Sequence, residues 1–155
     1  MSEDVVSVER VIPAPPEKIF ELLVYPDKHQ EIDGSGSVRD AKGENASERL
    51  KLGSKFGMKM KMGLPSSMVS TVVEFEEGRR IAWHTWPPFG PKIAGGRIWR
   101  YLLEPVEGGT KVTESWDITQ EKLTKPLVGL GGAAEKTSKN MAQTLENIEK
   151  LVAAE

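Results

Sequence analysis

The chain has no cysteine, so neither disulfides nor thiolate chemistry is open to it, and nothing in it calls for an oxidising compartment. Histidine occurs only at His29 and His84. A zinc site takes three or four His, Cys or carboxylate ligands, and no stretch supplies them at workable spacing, so no metal is expected. Charge of one sign is equally scarce as a feature. The 21 basic and 23 acidic residues leave a net charge of −2 and form no long block, which removes the electrostatic footprint of a nucleic-acid binder. No apolar run approaches the roughly 18 residues of a membrane span, and the opening MSEDVVSVER is acidic, without an apolar signal core. The expectation is a cytoplasmic chain with no stable membrane insertion. GSGS and GGAAEKTS lack the spacing of a phosphate or dinucleotide loop, and there is no GxSxG elbow. No cofactor is expected.

What is present is strand periodicity. FGMKMKMG sets Phe56, Met58, Met60 and Met62 on every second position with Lys59 and Lys61 between the methionines, which fits a strand with one dry and one wet face. Methionine is a poor strand former beside valine or isoleucine. Its flexible thioether suits either plain core filling or the wall of a cavity that takes ligands of variable shape. VVSVERVI (5–12) reads as a first strand. PAPPEKIFELLVYP follows as a helix, with prolines in its first turn and Ile19, Phe20, Leu22 and Leu23 on one stripe. A second short helix fits PDKHQEI, and a short strand fits Val38 to Ala41. From Leu50 the pattern is an antiparallel meander: Ser54 to Met62, Met68 to Glu76, Arg79 to Trp86, Gly96 to Pro105 and Thr110 to Thr119. Its connections are GLPSS, EG, PPFGPKIAGG and VEGG, each with the Gly or Pro of a turn. Ala134, Thr137, Met141, Leu145, Ile148 and Val152 then recur at helical spacing to the end. No repeat or composition break appears, so 1–155 is read as one α+β domain.

One strand, two short helices, some six strands and a long terminal helix is an order that resembles the helix-grip fold of the START-like (SRPBCC) superfamily, which includes the birch-pollen-allergen-like proteins. Within it the chain is most similar to the polyketide cyclase/dehydrase and lipid-transport branch. APPEKIFELLVYPDKHQEI, LGSKF, RIAWHTW and WRYLLEPVEGGTKVTES carry the likeness. The resemblance implies a curved antiparallel sheet of six or seven strands around the C-terminal helix. Between them it implies a hydrophobic cavity for lipids, polyketides, hormones or similar amphiphiles. Only some members are enzymes, and fold alone does not decide activity. Relatives often carry a tryptophan after the second short helix, where this chain has Ile32.

With the methionines inward, alternation phases the other strands. Trp99, Tyr101 and Leu103 share the inner face; so do Val112, Glu114, Trp116 and Ile118, then Ile81, Trp83 and Thr85, and finally Val69, Thr71, Val73 and Phe75. Met141 and Leu145 complete the lining from the helix. Glu114 thereby falls among apolar neighbours, where a carboxylate is costly unless paired, hydrogen-bonded or protonated. It is either a polar anchor or acid aimed at a ligand, or a rim, bulge or ion-paired residue with Arg97 or Arg100. Tyr101 on the adjacent strand is either core structure or, since its hydroxyl needs a partner if buried, the hydrogen-bond partner of Glu114. His84 phases to the opposite face, and His29 sits in a helical turn near the cavity mouth. Trp86 and Phe89 put apolar bulk on a hairpin loop, where they either pack over the end of the helix or form a lid at the cavity entrance, and Gly131 and Gly132 loosen the approach to the last helix. Leu127 and Leu130 form that segment's apolar underside, so 86–96 and 126–134 are expected to gate the cavity. The leading expectation is a non-catalytic carrier or sensor of a hydrophobic small molecule. An alternative is a cyclase or dehydratase using Glu114 and Tyr101 with help from His84. A third is a chaperone-associated or regulatory protein-interaction module using the outer sheet face or the WPPFGP loop.

Overall fold

The structure, a computed structural model, describes residues 5–34, 38–42, 48–62, 64–86, 96–119 and 133–153. β1 (Val5–Ile12) leads into α1 (Pro16–Leu23), a 3₁₀ turn (Pro26–Lys28) and the single-turn α2 (His29–Ile32). Six strands follow: β2 (Val38–Lys42), β3 (Lys55–Met62), β4 (Leu64–Glu76), β5 (Arg80–Trp86), β6 (Arg97–Val106) and β7 (Gly109–Asp117). α3 (Ala133–Ala153) ends the chain. Every pairing is antiparallel, in the order β1-β7-β6-β5-β4-β3-β2. The first strand therefore closes against the last, while β3 to β7 form the expected meander and β2 adds to its far edge.

Local chemistry explains the element ends. Pro16 opens α1 where a missing N–H is harmless, and Pro26 begins the next turn. The β4–β5 hairpin turns through Gly78 at φ +73°, a left-handed value that glycine adopts without steric cost. Two expectations need correcting. β4 starts at Leu64 and not at Met68, because Leu64 to Ser67 pair with β3 instead of forming the turn. The inward phase of Val69, Thr71 and Val73 is also wrong. Ser70 and Val72 are the buried pair, facing Thr85 and Trp83 across the ladder. A bulge between Val72 and Glu74 inserts Val73 as an extra residue, 41% exposed, and returns Phe75 to the inner side.

α3 lies on this inner face, packing on β1 and β7 and against α1 and α2. Met141, Thr144, Leu145, Ile148 and Val152 form its buried stripe. Two polar contacts lock α2 to it: Gly34 N–H donates to Thr144 Oγ1 at 2.8 Å, and Asn147 Nδ2 donates to the Ile32 carbonyl at 3.1 Å. Gly34 has to be glycine, since a Cβ there would run into the Asn140 carbonyl and the Thr144 nitrogen. At the sheet edge Arg10 reaches Glu149 at 2.9 Å and Glu146 at 3.8 Å, tying β1 to α3. Ile32 is buried in the core.

Candidate functional site

Ladder register builds the inner face row by row. One row runs Val8, Glu114, Tyr101, Ile81, Phe75; the next runs Val6, Trp116, Trp99, Trp83, Val72. Three tryptophans from three adjacent strands thus lie side by side, with Trp99 and Trp116 ring centroids 6.3 Å apart and Trp83 5.7 Å from Tyr101. A third row sets Arg97 beside Thr85, Ser70 and Phe56. The Arg97 guanidinium carbon stands 5.6 Å from the centre of the Trp116 ring, within cation–π range.

The polar centre of this surface is Glu114, 3% exposed. Burial pushes its pKa up to about 8, and the nearby Asp33 charge adds to the rise, while the hydrogen bond from Tyr101 opposes it. At neutral pH the carboxyl is protonated. Tyr101 is likewise raised well above its ordinary range, by burial first and then by Glu114, and remains a neutral donor. Among the described residues Glu114 Oε1 and Trp116 Nε1 are buried without a hydrogen-bond partner. An unmet buried polar group costs about 1–3 kcal/mol, and here two of them sit two residues apart on one face of one strand. Thr71 Oγ1 is the other such atom, on the opposite face with His84. Arg100, one of the partners considered for Glu114, faces away. It bonds Glu74 through Nε at 3.0 Å and Nη2 at 2.6 Å, and Asp117 lies 3.7 Å from it.

His29 is a residue that sequence reasoning undervalued. It is buried, not at a solvent-facing mouth: its ring stacks on Trp83 at 4.8 Å, meets Phe56 edge-on at 5.5 Å, and its Nε2–H donates to the Leu23 carbonyl at 2.9 Å. Desolvation lowers its pKa to about 4, so it is a neutral aromatic wall between α2 and the sheet. The polar run PDKHQEI held no signal for this beyond the histidine itself.

The other expected residues divide cleanly. Phe56, Trp83, Tyr101, Leu103, Glu114, Trp116, Met141 and Leu145 are all buried, Phe75 and Trp99 are half-buried against the core, and Val73 is excluded by the bulge. His84 faces away from Trp83, pairing with Thr71 and Ile98, and is not brought to Glu114. Met58, Met60 and Met62 occupy β3 opposite Met68, Ser66 and Leu64, and Trp86 ends β5 opposite Val69; their side chains are outside the described set. Phe89, Leu127, Leu130, Gly131 and Gly132, and with them most of the expected gate, lie outside the described residues. A separate open recess of about 420 Å³ is lined by Glu48 to Lys55 and shares no residue with the aromatic rows. No helix is long and apolar enough to cross a membrane, and no group of three or more metal-ligating side chains occurs, among the described residues.

Known proteins bear on this arrangement at two levels. In sequence, the chain is 33% identical over 108 residues to the Mycobacterium tuberculosis protein Rv0088, a match covering 68% of this chain and 44% of that one; the chain thus spans less than half of the curated relatives it matches. In structure, it is similar to protein CV1439 from Chromobacterium violaceum, with TM-score 0.70, 17% identity and coverage of 97% and 98% of the two chains. It is also similar to the Aha1 dimer subunit from Colwellia psychrerythraea, with TM-score 0.65, 18% identity and coverage of 96% and 95%. At these identities the likeness is one of fold. The model of one family, described as polyketide cyclase/dehydrase and lipid transport, matches residues 4–153, nearly the whole chain, and it is to this family that the chain belongs.

Proposed function

We propose that the protein binds a hydrophobic or amphiphilic small molecule between the sheet and α3, as a non-catalytic carrier or sensor. The observation that carries this is the pair of unmet polar atoms, Glu114 Oε1 and Trp116 Nε1, set in an aromatic surface. A purely structural core leaves such atoms apolar or paired, whereas a binding site keeps a few convergent polar groups among apolar walls. Phe56, Phe75, Trp83, Trp99, Tyr101, Leu103, Met141 and Leu145 supply those walls. Native mass spectrometry of the protein purified from its own host tests this, the expected result being a retained apolar mass that leaves on unfolding. No retained mass, together with no quenching of tryptophan fluorescence by any amphiphile tried, overturns the reading.

One observation favours an enzymatic reading as well. A carboxyl kept protonated near neutral pH, hydrogen-bonded to a tyrosine, is suited to general-acid catalysis, as in a cyclisation or dehydration of a polyketide-like substrate. Glu114→Gln separates the two. Turnover lost while binding survives supports the enzyme, and equal loss of both supports an anchor.

A further inference from the structure

We propose that the ligand's polar end is a carboxylate, held by Trp116, Glu114 and Arg97 where β6 begins; this rests on the small-molecule reading above and names the class of molecule. Trp116 Nε1 is a donor only. Tyr101 donates to Glu114, which leaves the acidic proton of the neutral carboxyl on the unpaired Oε1 and makes that oxygen a donor too. Residues 114 and 116 point to one face and stand roughly 7 Å apart along the strand. A ketone or hydroxyl oxygen of a ligand answers one of these donors well. A carboxylate brings two oxygens, so it accepts from both and forms the shorter, charge-assisted kind of bond. Its charge needs a cation, and Arg97 on the same inner face already lies against the Trp116 ring.

The surroundings of Glu114 fit a site that takes an anion while the carboxyl is neutral. From β6 it meets Tyr101 and from β1 the apolar Val8. Beyond α2 it feels the charge of Asp33, which raises its pKa. α3 buries Met141, Thr144, Leu145, Ile148 and Val152, none of them titratable. Met141 packs with Trp116 and Ile118, and its flexible thioether is the side chain that has to swing aside for a ligand to reach Nε1.

Lauric acid, its methyl ester and lauryl alcohol test the proposal on the full chain by calorimetry and tryptophan fluorescence. The acid is expected to bind at least about tenfold more tightly than the ester or alcohol near neutral pH. Arg97→Gln and Trp116→Phe are expected to weaken binding of the acid more than that of the alcohol and so to remove the preference, with circular dichroism confirming that each variant is folded. Above about pH 8, where Glu114 of the free protein ionises, the acid's affinity should fall by up to about tenfold per pH unit, because binding then requires uptake of a proton. Glu114→Gln, which keeps an N–H donor, should abolish that pH dependence. Equal affinity for the three molecules overturns the carboxylate and leaves the small-molecule reading standing. An acid preference that survives both Arg97→Gln and Trp116→Phe overturns the assignment of these residues. Failure of all three to bind overturns this proposal together with the reading beneath it.

Discussion

Two buried groups with opposite shifts give this fold an unusual dependence of stability on pH. Glu114 titrates at about 8 in the folded chain against an ordinary 4.5, and His29 at about 4 against 6.5. The raised Glu114 contributes stability fully present below pH 4.5 and lost as pH rises towards 8. The depressed His29 contributes stability present above 6.5 and lost as pH falls towards 4. Between 4.5 and 6.5 the unfolded chain holds one proton on the histidine and the folded chain holds one on the glutamate, so the two slopes cancel. From pH 6.5 to 8 only the folded state keeps its proton, and stability falls by about 1.4 kcal/mol per unit, or about 2 kcal/mol in all. Tyr101 titrates too high to enter this window. On the acid side Glu74, held below its ordinary range by Arg100, adds its own loss below about pH 4.5. Urea unfolding followed by tryptophan fluorescence should therefore show a plateau from pH 4.5 to 6.5. The midpoint should then fall by roughly 1 M by pH 8, and Glu114→Gln should flatten that fall. A wild-type midpoint constant from pH 6.5 to 8.5, or a full slope remaining in Glu114→Gln, would refute the reasoning.

Other outcomes follow from particular contacts. Gly34→Ala should lower stability by about 1–3 kcal/mol through overpacking against α3, read as a drop in thermal midpoint; an unchanged midpoint means that α2 and α3 do not meet this closely. Val72→Thr, which buries a hydroxyl opposite Trp83, should cost about 1–3 kcal/mol, whereas Val73→Thr at the bulge should stay within about 0.5 kcal/mol. The reverse order in urea unfolding restores the unbulged register. Trp83→Ala, which removes the ring stacked on His29, should cost about 3–5 kcal/mol and shift the His29 ring resonances in NMR; resonances left in place contradict the stack.

How much of this was legible beforehand depends on whether the cause was local. Side-chain alternation is a property of a single strand, so the bounds of β1, the inward faces of β5, β6 and β7, and the placement of Glu114 and Tyr101 on the same face were readable from apolar spacing, whereas their direct pairing is set by the β6–β7 register. The Ala133–Ala153 helix was readable for the same reason, through its 3.6-residue period. Val73 was misplaced because a bulge is set by how two strands fit each other, and the run MVSTVVEFEE carries apolar residues in both phases. His29 was undervalued because nothing within PDKHQEI marks a buried face; Gly34, Asn147 and Thr144 press that turn onto α3, and Trp83 and Phe56 enclose the ring from strands far along the chain. The proton on Glu114 belongs to the same class. Its position followed from alternation, but its charge state depends on how completely other elements exclude water from it, and desolvation is a property of the assembled fold that no stretch of sequence contains.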